Sequence, residues 1–128
     1  MFSASLQDYL EVILSLSQKG EPVRVTDIAS ELNIAKASVT QALSTLKKEG
    51  MIYQDRYGPV RLTEKGSEYA SKIFKRHRII RSFLEDVLQV DPVTAEKDAC
   101  LLEHVVSDCT FEQIKNYMNN HGFSVTEN

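Results

Sequence analysis

No apolar run in this 128-residue chain approaches the roughly 18 residues a membrane span requires. Residues 1–11 also lack the basic-then-apolar order of a secretory signal. Cysteine is scarce: Cys100 and Cys109 are the only two, too few for the disulfide framework of a small secreted domain. The expectation is a cytoplasmic protein with no membrane partner, in which each cysteine is either a small buried hydrophobe or a metal ligand. Internal repeats and low-complexity segments are absent. There is no Gly-rich phosphate loop and no Ser/His/Asp set, so the sequence argues against an enzyme.

What is present is ordinary for a globular chain: 42% hydrophobic and 26% charged residues. The net charge of −3 is unevenly spread. Residues 1–80 carry 12 Lys/Arg against 9 Asp/Glu, and residues 81–128 carry 3 against 9. The basic part suits a phosphate backbone and the acidic part suits a cation.

Leu6, Tyr9, Leu10, Ile13 and Leu14 mark one face of a first helix, from about Ser5 to Ser17, closed by Lys19-Gly20. A second, short helix spans Asp27 to Leu32, with Thr26 read as its N-cap. A third runs from about Lys36 to Glu49 and closes at Gly50. The period then changes. Met51–Tyr53 and Val60–Leu62 read as two short strands around the turn 55–59. Thr63-Glu64-Lys65 caps a long helix running to about Gln89. Asp91-Pro92 opens another, and a last helix covers about Phe111 to Asn120, with residues 123–128 expected to fray. The order predicts a mainly α protein. A winged helix-turn-helix layout over 1–72 is expected to precede a second, helical domain over 73–128.

The sharpest local pattern is the stretch from Thr26 to Leu43. Two helices that cross closely need a small residue at the crossing, which Ala29 supplies. The turn needs a left-handed position, which Asn33 tolerates. Ile28, Leu32, Ile34, Val39 and Leu43 are expected to pack between the helices. The third helix is then the recognition helix. The candidate DNA-contacting residues are Thr26, Lys36, Ala37, Ser38, Thr40 and Gln41, with Arg56, Tyr57 and Arg61 on the wing. Gln41 suits an adenine edge, Ala37 or the Thr40 methyl a thymine methyl, and Lys36 a phosphate.

Three groups of potential metal ligands stand apart in the sequence. Asp8 and Glu11 are one helical turn apart, His77 lies on the long helix, and Cys100, Glu103 and His104 share one patch of the fifth helix. Taken singly, each has a plainer reading: a solvated acidic face, a histidine satisfied on an apolar stripe, a buried cysteine. Thiolate, carboxylate and imidazole together are the donors of a first-row transition ion.

The segments Asp8-Tyr9-Leu10-Glu11, Arg76-His77-Arg78 and Cys100-Leu101-Leu102-Glu103-His104-Val105-Val106-Ser107 resemble the diphtheria-toxin-repressor family of iron- and manganese-dependent regulators. So does Leu62-Thr63-Glu64-Lys65-Gly66 after the wing. The resemblance spans about Ser5 to Asn120. It implies that 1–72 is a winged helix-turn-helix DNA-binding domain and 73–128 a helical dimerisation and metal-binding domain, in a homodimer that binds a palindromic operator in double-stranded DNA when charged with a divalent ion, without an organic cofactor. It implies ligands at Asp8, Glu11, His77, Cys100, Glu103 and His104. In length, and at Asp8 and Glu11, the chain is similar to the short manganese-sensing branch, whereas Cys100 is similar to the iron branch. Arg81 stands where the family often has a glutamate, and Glu96 where iron sensors place a histidine, so Glu96 joins the candidate ligands. Three or more oxygens favour Mn2+, and the one sulfur favours Fe2+, with Zn2+ and Co2+ able to bind in vitro. The dimer surface is expected at Phe83, Leu84, Leu101, Leu102, Val105 and Val106. The rival readings are a winged-helix regulator that senses a small organic ligand and ignores metals, and a metal-dependent enzyme using Glu103 and His104.

Overall fold

A computed structural model describes residues 4–56 and 58–123, so Tyr57 and the segment 124–128 lie outside the described residues. The chain forms two compact units, Met1–Ser71 and Lys72–Asn128. Among the described residues, no helix is long and apolar enough to cross a membrane.

In the first unit, helices α1 (Ala4–Ser17), α2 (Val25–Leu32) and α3 (Lys36–Lys48) precede a hairpin of β1 (Ile52–Gln54) and β2 (Val60–Leu62). The strands pair antiparallel with Tyr53 opposite Arg61, and Val23 adds a bridge to Val60. Tyr9, Leu10 and Ile13 of α1 are buried with Ile28, Val39, Leu43, Leu46, Ile52 and Val60 in one core. Burying a Leu or Ile side chain contributes about 1.5–3 kcal/mol, so this cluster dominates the unit's stability.

The crossing of α2 and α3 follows the sequence logic. Ala29 is buried, Asn33 adopts φ 55° and ψ 51°, and the Ile34 amide donates to the Ala29 carbonyl at 3.0 Å. Three expectations change. Ile34 is 38% exposed, because the chain leaves the left-handed turn with this side chain directed away from the core. Thr26 is not the N-cap of α2. Arg24 holds that position with an extended backbone, and its amide donates to the Asp27 carboxylate at 2.9 Å. Thr26 is the second residue of the helix and is exposed. β1 also begins one residue later than expected, at Ile52.

Helix α4 (Glu64–Ser82) starts as expected at Thr63, whose hydroxyl accepts from the Gly66 amide at 3.0 Å and donates to the Gly50 carbonyl at 2.7 Å. Gly66 has a packing reason: a Cβ there would lie 1.9 Å from the Met51 carbonyl oxygen. The predicted helix to Gln89 is interrupted. After Ser82 the chain forms a π-type turn over Phe83–Val87, the Leu88 amide reaching back to the Phe83 carbonyl, and Gln89 takes φ 60°. The wider turn buries Leu84 with Ile80, Ala95 and Ala99 in the core of the second unit. Helix α5 (Pro92–Val105) is capped by Asp91, whose carboxylate accepts from the Thr94 amide. Helix α6 (Asp108–Asn120) is capped by Ser107 and starts three residues earlier than expected. The Ser107 hydroxyl, which accepts from the Thr110 amide at 3.2 Å, outweighs the lack of an apolar residue in the first turn.

Candidate metal centre and nucleic-acid interface

The fifth helix brings its ligands to one side because residues three and four apart are neighbours on a helix surface. Glu103 is 4% exposed. Its Oε1 lies 3.2 Å from His104 Nε2, and its Oε2 lies 3.0 Å from Nδ1 of His77 on α4. That Oε2 is within ion-pair range but accepts no aligned hydrogen bond, so a buried carboxylate oxygen is left incompletely satisfied. Such an oxygen costs about 1–3 kcal/mol or more when charged, and a cation relieves it.

On its other edge, His77 Nε2 sits 3.1 Å from both oxygens of Glu96. Carboxylates therefore flank both ring nitrogens. The negative charge of the adjacent Glu103 carboxylate, assisted by Glu96, raises the His77 pKa above its ordinary 6.5 against the opposing effect of burial. Cys100 is exposed rather than buried, and its thiol donates to Glu96 Oε1 at 3.8 Å. One ligand atom each from His77, Glu96 and Cys100 lies within 4.8 Å of the others. This imidazole, carboxylate and thiol set suits a first-row transition ion. Asp8 and Glu11 lie on α1 of the first unit, one turn apart and half-buried.

Sequence reasoning singled out Arg76 and Arg81 but assigned neither the partners it holds in the second unit. Arg76 is buried. It donates to the Asp108 carboxylate at 2.9 Å and to the Val106 carbonyl, and lies 5.1 Å over the Phe111 ring. It thereby fixes the start of α6 against α4. Arg81 lies 3.2 Å from Glu96 and 3.4 Å from Glu85. The Arg81–Glu85 pair has i, i+4 spacing, whereas no local spacing links either arginine to its partner on the other helices.

On the first unit, Lys36, Ala37, Ser38, Thr40 and Gln41 are all exposed along the first turns of α3, and Arg56 and Arg61 are exposed on the wing. The Thr40 hydroxyl donates back to the Lys36 carbonyl at 3.0 Å, which leaves its methyl group available for an apolar contact. Lys47 Nζ ties α3 to the hairpin by donating to the Gln54 carbonyl at 2.9 Å.

The expected dimer surface divides. Leu84 is buried, and Phe83, Leu102 and Val106 are packed in the core of their own unit. Leu101 and Val105 remain 67% and 75% exposed on α5, and Leu88 and Val93 are exposed as well.

Known proteins match both units. Residues 1–60 match the N-terminal DNA-binding domain of iron-dependent repressors, and residues 63–125 match their metal-binding and dimerisation domain. The chain belongs to the iron-dependent repressor family. It is a metal-dependent DNA-binding regulator and not an enzyme, and the reading as a metal-blind sensor of an organic ligand is not favoured. An HTH-type transcriptional regulator of Methanocaldococcus jannaschii is 38% identical over 117 residues, covering 91% of this chain and 94% of that protein. The HTH-type transcriptional regulator MntR of Listeria monocytogenes is 33% identical over 114 residues, covering 89% and 80%. Among solved structures, the manganese regulator SloR superposes with a TM-score of 0.79 at 30% identity, covering 89% of this chain and 53% of SloR. A manganese-dependent transcriptional repressor in complex with manganese gives a TM-score of 0.82 at 26% identity, covering 89% and 52%. The chain thus spans about half the length of these two structures. As the family requires, the second unit is built for a divalent ion and for dimerisation.

Proposed function

We propose that this chain is a cytoplasmic repressor of metal-homeostasis genes. Its ligands are Asp8 and Glu11 from α1, His77 from α4, and Glu96, Cys100, Glu103 and His104 from α5. The observation that carries the reading is the buried Glu103 carboxylate, with one oxygen unsatisfied and histidines on either side. A bound divalent ion supplies the positive charge that lets carboxylates from separate segments share one point. Without it, Asp8, Glu11 and Glu103 repel one another, and the ligand-bearing helices are free to shift. The raised His77 pKa makes protons compete with the ion for this imidazole, and any proton it holds leaves when it becomes a ligand.

The two units divide the work. The second unit pairs two copies through the exposed apolar face of α5. The first presents Lys36, Ala37, Ser38, Thr40 and Gln41 to a major groove, with Thr26 as a further DNA contact and the wing residues Arg56, Tyr57 and Arg61 assigned to backbone or minor-groove contact. A homodimer with two-fold symmetry reads a palindromic operator whose half-sites are about one helical turn, ~34 Å, or a multiple apart. No organic cofactor enters this scheme.

Manganese is the proposed physiological ion. The hard oxygens of Asp8, Glu11 and Glu103 support it, as do relatives described as manganese regulators. Ferrous iron is the second reading, favoured by the Cys100 thiol. Coupling of about 1–3 kcal/mol between ion and operator is enough to switch occupancy. Because coupling is reciprocal, calorimetric titration should show tighter Mn2+ binding with operator DNA than without. Equal affinities would refute the mechanism. Glu103→Gln should remove Mn2+-dependent operator binding while the dimer persists. Metal-responsive binding by that variant would take Glu103 out of the site.

A further inference from the structure

Arg81 places a permanent positive charge on a carboxylate that a metal ion would need. Its Nη1 is 3.2 Å from Glu96 Oε2, and its Nε is 3.4 Å from Glu85 Oε2. Glu96 is the shared member of the His77, Glu96 and Cys100 group, whose ligand atoms lie within 4.8 Å of one another. One side-chain cation is therefore already engaged at a position suited to a divalent ion. A guanidinium cannot deprotonate to make room, and its planar fork matches a carboxylate well.

Resting on the ligand assignment above, we propose that Arg81 is a specificity-determining residue: an internal counter-cation that weakens the His77–Glu96–Cys100 position for hard divalent ions. With the Glu96 charge countered by Arg81, an incoming ion meets an imidazole and a thiol, and only the thiol gains negative charge, by losing its proton. A hard ion such as Mn2+ gains little from thiolate, whereas Co2+ or Zn2+ binds it strongly. Entry also brings two like charges close together in a partly buried setting, where screening is weaker than in bulk water. The wild-type chain then holds one Mn2+ tightly, and its second position selects softer ions.

The test is metal binding by the full chain, independent of DNA. Wild type, Arg81→Gln, Arg81→Lys and the double variant Arg81→Gln/Glu96→Gln would be compared by equilibrium dialysis against Mn2+ with elemental analysis. Co2+ titration, followed by the thiolate-to-cobalt absorption band, reports the Cys100 position separately. Arg81 is about half exposed, so its replacement is expected to leave the helices intact, which circular dichroism checks.

The expected result is one tight Mn2+ per wild-type chain. Arg81→Gln should tighten the second Mn2+ step at least ten-fold, Arg81→Lys should stay near wild type, and adding Glu96→Gln should cancel the gain. The cobalt–thiolate band is expected in wild type as well as in Arg81→Gln. Two equally tight Mn2+ ions in wild type, or unchanged Mn2+ binding in Arg81→Gln, would overturn the role of Arg81. In that second case, loss of Mn2+ binding in Glu103→Gln would leave the ligand assignment standing. No divalent-ion uptake by any of these proteins would overturn both.

Discussion

Replacing Gly66 by alanine sets two effects of opposite sign against each other. Gly66 lies in the first turn of α4, where helix propensity favours alanine by about 1 kcal/mol. The added methyl, however, would sit 1.9 Å from the Met51 carbonyl oxygen, 2.8 Å from its carbonyl carbon and 3.2 Å from its Cα. All three are backbone atoms, so no rotamer change relieves the clash. The helix start would have to retreat by about 1 Å or more from the segment that enters the wing, a forced repacking that costs about 1–3 kcal/mol. The same movement strains the Thr63 amide bond to the Met51 carbonyl, now 3.0 Å, and the Thr63 cap on the Gly66 amide, also 3.0 Å. Losing an N-cap costs about 0.5–2 kcal/mol, and losing a backbone hydrogen bond about 1 kcal/mol. These losses overlap, since one displacement causes them all. A net destabilisation of about 2–4 kcal/mol remains after the propensity gain. Urea unfolding of the metal-free protein measures it. Because Met51 leads into β1, operator affinity should fall too, with metal affinity less affected. An alanine variant as stable as wild type, or more stable, would refute the steric argument and leave propensity in charge.

The raised pKa of His77 has a defined sign: its contribution to metal-free stability is complete below the ordinary value of 6.5 and disappears as the pH rises through the higher folded value. The urea midpoint of the metal-free protein should therefore fall over that window while Mn2+ affinity rises, and His77→Gln should flatten the fall. A midpoint independent of pH in wild type would contradict it. On the recognition helix, Lys36→Ala should weaken all DNA sequences alike and reduce the salt slope by about 1, whereas Gln41→Ala should chiefly relax sequence preference, by about 1–3 kcal/mol at one base pair. Gel shifts at two salt concentrations separate the two, and identical behaviour would remove the distinction. Leu101→Glu with Val105→Glu should shift the dimer toward monomer by light scattering, since both side chains are largely exposed in the single chain. An unchanged mass would move the dimer surface elsewhere.

Much of the DNA-binding unit was legible because its constraints are local. Apolar residues at helical spacing mark α1 and α3. Ala29 and Asn33 each satisfy a need of the crossing that few other residues meet, and Asp91-Pro92 states the start of α5 in two residues. Arg24 as N-cap was not legible, because that position depends on an extended backbone and on Asp27 reaching back, while Thr26 has the better capping side chain. Ile34 likewise follows the apolar pattern, yet the turn directs it outward.

The ligand types on α1, α4 and α5 were readable from their chemistry and from resemblance. Their electrostatic state was not. Sequence shows an arginine at position 81 and a glutamate at position 96. Only the packing of α4 against α5, with the π-type turn between them, sets the two 3.2 Å apart and leaves Glu103 buried with an unsatisfied oxygen. Arg76 and Asp108 are separated by 32 residues, and their pairing likewise awaits the folded second unit. Spacings of three and four residues are fixed by helical geometry and can be read from the chain alone. Contacts between helices depend on where turns widen and where caps fall, and those are decided by competition among many weak terms across the whole unit.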